Sequence, residues 1–118
     1  MSRMPATFDT ELFTLKKGDL GRPIEAILED PDTDTPRNLA DCTVQFRMKN
    51  AATGIVRSGA AEVIGADSAG HVRYNFVADD VAEPAQLQCE WVVTDYLDKP
   101  TTYPSEGFTL VFVTDSAA

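Results

Sequence analysis

Large side chains recur at every second position along most of this chain, the mark of half-buried strands rather than helices. Cys42, Val44, Phe46 and Met48 alternate with Thr43, Gln45 and Arg47. Val72, Tyr74 and Phe76 alternate with His71, Arg73 and Asn75. Within residues 86–95, Leu87, Cys89, Trp91 and Val93 take one face. Residues 11–17 predict a first strand with Phe13 and Leu15 together, and residues 22–30 a second with Ile24, Ala26 and Leu28 inward. Residues 55–64 are rich in Ala and poor in large side chains, so they read as an edge strand. Residues 107–114 form the last strand, with Phe108, Leu110 and Phe112 assigned to the core.

Turn residues separate these runs. Gly18-Asp19, Thr53-Gly54, Asp67-Ser68-Ala69-Gly70 and Asp98-Lys99-Pro100 each break the alternation. The stretch from Asp30 to Pro36 is a loop by composition. Asp79-Asp80 followed by Val81-Ala82-Glu83 and Pro84 predicts one short helical turn capped by a carboxylate. About seven short strands result, with no room between them for crossover helices. The prediction is an all-β, immunoglobulin-like antiparallel β-sandwich. It spans residues 1–118 as one domain, with 1–10 and 115–118 expected as flexible ends. A chain of 118 residues buries about two-thirds of its unfolded surface, enough for one core.

Charge narrows the partners. Lys and Arg number 10 against 19 Asp and Glu, a formal net charge of −9. Such a chain repels phosphate backbones and anionic membrane surfaces, so neither nucleic acid nor a membrane is expected. The excess keeps the surface self-repelling and soluble, or steers a basic partner. The N-terminal residues lack the long apolar stretch of a secretory signal. Cys42 and Cys89 are the two cysteines; a reducing compartment favours free thiols, and a bridge between them stays open.

Candidate chemistry is sparse. Two Cys and one His are too few for a four-ligand zinc site. Asp30, Asp32, Asp34 and Asp41 follow a calcium-loop count, but Thr35 replaces the glycine of the sharp turn and Pro36 follows it. That loop reads as a solvated turn. His71 falls on the polar face of its strand beside Arg73, and Ser58, Ser68 and Ser105 lack a nucleophile-elbow context. No glycine-rich phosphate loop follows a strand. The expectation is no catalytic residue, no cofactor and no metal. Phe46, Tyr74, Phe76, Trp91, Phe108 and Phe112 take the inward phase, against a sugar-binding ring platform. Tyr96 and Tyr103 are assigned to loops.

The last strand is apolar on both faces. With Phe108, Leu110 and Phe112 inward, Val111 and Val113 point outward, as does Val92 on the preceding strand. Pairing of these strands predicts an apolar outer patch, a candidate protein interface of Val92, Val111 and Val113. On that reading, Val111→Lys with Val113→Lys leaves the monomer folded and weakens assembly.

The order of pieces resembles the immunoglobulin-like domain at the N-terminus of the phage baseplate upper protein and in many small phage tail proteins. The matching stretches are Phe13 to Asp19, Pro23 to Leu28, Asn38 to Met48, Gly70 to Tyr74, Gln88 to Val93, Tyr103-Pro104 and Gly107-Phe108. Where that family carries a Gly-x-Tyr turn before its Trp strand, this chain has Ala85-Gln86-Leu87. The resemblance implies a non-enzymatic structural protein of a tailed-phage virion or prophage, in the tail or baseplate. It implies contacts with other virion proteins and a homo-oligomer in the particle. A capsid decoration or head–tail joining protein would use the same fold, and a carbohydrate-binding or adhesin module is the alternative of another class.

Overall fold

The computed structural model describes residues 12–104 and 109–115. The predicted ends, Ser105 and Phe108 lie outside them, apart from Asp115. Among the described residues, eleven strand segments follow in chain order: β1 (Leu12–Lys16), β2 (Ile24–Ile27), β3 (Glu29–Asp30), β4 (Thr35–Pro36), β5 (Thr43–Asn50), β6 (Val56–Ala60), β7 (Glu62–Val63), β8 (His71–Tyr74), β9 (Ala85–Thr94), β10 (Pro100–Tyr103) and β11 (Thr109–Thr114).

Two sheets face each other. The larger has the order β1-β11-β9-β5-β6, with β10 also on β9; the smaller has the order β2-β8-β7. The chain changes sheets at Ala61, between β6 and β7. This is the all-β sandwich predicted from the strand pattern. One ladder departs from antiparallel pairing: β1 runs parallel to β11.

The centre of the sandwich follows from β5 and β9. Their register sets Phe46 opposite Trp91, with ring centroids 4.6 Å apart. Tyr74 of the smaller sheet stacks on Phe46 at 4.9 Å, and Phe76 meets Tyr74 edge-on at 5.4 Å. Val44, Met48, Leu87, Cys89, Val93 and Val72 are buried around these rings, as their alternation predicts. Gly59 of β6 faces the same rings. A Cβ there would lie 2.5 Å from the Tyr74 ring, so only glycine lets β6 close over it.

Several details differ from the sequence reading. The loop from Asp30 to Pro36 is pinched by a two-residue ladder, Glu29 with Pro36 and Asp30 with Thr35. Tyr103 is no loop residue: β10 pairs with β9 and buries it to 3% exposure. Cys42 and Cys89 are both free.

The largest difference is the phase of β11. Val111 and Val113 are 0% and 3% exposed, whereas Leu110 and Phe112 are half-buried on the other face. Register decides this. Val111 pairs with Leu87 and Phe13, and Val113 with Ala85 and Leu15. These partners face the core, and a strand's facing follows its ladder partners. An apolar run on both faces of a strand flanked on both sides states the period without the phase.

Candidate functional site

The predicted interface therefore does not assemble. Val111 and Val113 are core residues, and two lysines there would place charge inside the sandwich. Val92 does face outward, half-buried, but it pairs with Gln45 of β5 and Thr102 of β10. Leu110 and Phe112 occupy the outer face of β11, opposite Gln88 and Gln86.

The polar side chains of interest brace corners. Asp80 lies in the 3-10 turn Ala78–Val81 that joins the sheets. Its carboxylate accepts from Tyr74 Oη at 2.5 Å, from the Val77 amide at 2.9 Å and from Arg57 Nε at 3.2 Å. Its side chain is 1% exposed. Burial, then the Asp80 carboxylate, pushes the Tyr74 phenol well above its ordinary value. The predicted carboxylate N-cap is not formed: Val77 holds the N-cap position of the turn, and its amide donates to the buried Asp80, the third residue inside it. A cleft of about 220 Å³ opens beside it, between Met48, Ile55, Arg57 and Leu87, with Asp79 and Glu83 on its rim. That is below the roughly 300–1,000 Å³ of small-molecule pockets.

Two further clusters do similar work. Tyr103 Oη donates to Asp30 Oδ1 at 2.9 Å and accepts from Arg37 Nη1 at 2.9 Å. Asp30 is thereby tied to β10, and among the described residues no three His, Cys, Asp or Glu side chains group to hold a metal. On the outer face of the smaller sheet, Glu25 bonds His71 Nε2 at 2.7 Å and Arg73 Nε at 3.0 Å. These bonds hold the Glu25 carboxyl below its usual value. His71 is the solvent-face strand residue that the alternation predicts.

One polar group instead builds a surface. The turn between β9 and β10 carries Tyr96 at 75% exposure and Leu97 at 57%. Asp95 Oδ1 accepts from the amides of Leu97 at 2.8 Å and Lys99 at 3.0 Å. The backbone closes the same turn, Asp98 N to Asp95 O at 2.9 Å and Asp95 N to Lys99 O at 3.1 Å. The Lys99 amide, then that of Leu97, keep the Asp95 carboxyl below its usual value. Two large apolar side chains are thus held out in water by a closed turn, at little further ordering cost on docking. Loops 28–42, 64–70 and 95–99 meet at this end, and their sequences carry eight acidic residues against Arg37 and Lys99. The sequence signal was an apolar pair bracketed by Asp95 and Asp98; alternation alone passes over it.

Neither a scan against protein-family models nor a search of curated proteins finds a match to this chain. Among the described residues, no helix is long and apolar enough to cross a membrane.

Proposed function

We propose that this chain is a non-enzymatic structural protein of a tailed-phage particle or prophage, a tail or baseplate component that docks neighbouring virion proteins through the Tyr96–Leu97 tip. The tip carries the reading. Exposed tyrosine on a rigid support is the residue type that anchors protein interfaces. The acidic end around it favours a basic or neutral partner surface and repels a second acidic end. The sandwich and the strand-by-strand resemblance to small phage tail domains support the virion setting. The buried rings Phe46, Tyr74 and Trp91 count against a sugar platform; Tyr96 is the one exposed ring among the described residues.

The test is incorporation. A tagged chain should co-purify with tail or baseplate assemblies of its particle. The variant Tyr96→Ser with Leu97→Ser should fold with unchanged stability and be left out. Absence of the tagged chain from particles, or tip-dependent glycan binding, would overturn the proposal. Location at the capsid would replace tail by head decoration.

A further inference from the structure

We infer that β6 is a self-pairing edge, through which two copies of this chain join as an antiparallel β6–β6 dimer. This rests on β6 alone and does not depend on the tip. β6 closes one side of the larger sheet, and among the described residues it pairs only with β5. Hydrogen bonds from Asn50 N to Ile55 O and from Ala61 N to Val44 O bracket that ladder, each 2.9 Å long. Antiparallel pairing alternates inward and outward backbone groups. Arg57 and Gly59 therefore bond to β5, and Val56, Ser58 and Ala60 turn their N–H and C=O away from it. Among the described residues, these outward groups meet no backbone partner.

The other edges are guarded. β1 runs into Lys16-Lys17, β2 follows Pro23 and carries Glu25, β7 has two residues, and β10 begins with Pro100. Charge, proline and shortness are the devices that stop edges from pairing. β6 lacks them. Its one charge, Arg57, is drawn to Asp80 in the cleft at 3.2 Å. Residues 51–61 contain no acidic residue in a chain that has 19, so copies repel each other least here. Ile55 and Val56 are 63% and 53% exposed at the same edge.

These features select a second copy as the occupant. A two-fold axis at Ser58 sets Ser58 against its counterpart and Val56 against Ala60 of the second copy. Small uncharged side chains then meet, with no like charges opposed. The contact is closed, so it gives a dimer and not a fibre.

Sedimentation equilibrium of the full chain should show a reversible monomer–dimer equilibrium. Ser58→Pro removes an outward N–H without breaking the β5 ladder, and should weaken the dimer about tenfold or more. Ser58→Lys, which opposes two charges, serves if the proline variant fails to fold. In a Cys42→Ala background, Ser58→Cys should form a disulfide-linked dimer under mild oxidation. An antiparallel hydrogen-bonded pair sets the Cα atoms about 5.5 Å apart, within the disulfide range of roughly 4.4–6.8 Å. A chain that stays monomeric at millimolar concentration overturns the inference. So does a dimer indifferent to residue 58 and not trapped by the cysteine.

Discussion

Two turns of this molecule are each organised by one aspartate, and they do opposite things. Asp80 is buried, and its donors come from β8, the residue before its turn and β6. Asp95 is at the surface, and its donors are amides of its own turn. Asp80 draws distant strands together, so its loss is felt by the whole sandwich. Asp95 shapes five residues and leaves the core untouched. The same carboxylate chemistry thus serves stability at one end and presentation of Tyr96 and Leu97 at the other. What separates the two is how far along the chain the donors come from.

Breaking the buried turn should have the largest effect. Asp80→Ala leaves the Tyr74 hydroxyl and the Val77 amide without their acceptor, and should cost about 3 kcal/mol in urea unfolding. Tyr74→Phe removes one of the three donors and keeps the ring stack on Phe46, so about 2 kcal/mol is expected in the same measurement.

The surface turn should respond to acid alone. The Asp95 carboxyl titrates below its ordinary value of 3.8, so its hold on the turn is complete above that value. The hold is lost as pH falls through the depressed value. Amide resonances of Leu97 and Lys99 should titrate together below pH 3.8 in the native chain, and not in Asp95→Asn. Titration shared by core amides instead would show that the two turns are not independent.

The alternation of residues 42–48 and 86–95 was enough to place Val44, Phe46, Met48, Leu87, Cys89, Trp91 and Val93 inside. One polar face and one apolar face leave a strand a single way to lie on a core. β11 offers no such contrast, and assigning its larger side chains inward put Val111 and Val113 on the wrong face. β10 went unseen because Pro100-Thr101-Thr102-Tyr103 carries turn residues and no apolar period. Asp80 and Asp79 look alike in sequence. Only the fold of β8 and β6 brings Tyr74 and Arg57 to one of them.

The sequence by itself determined the all-β class, the strand positions of the two central strands and the aromatic identity of the core. These follow from local period, which each segment carries within itself. Tertiary structure alone decided which face of β11 is buried, which aspartate is a brace and which strands lie at the sheet edges. Each of those depends on pairing between segments far apart in the chain, and no local pattern encodes the partner.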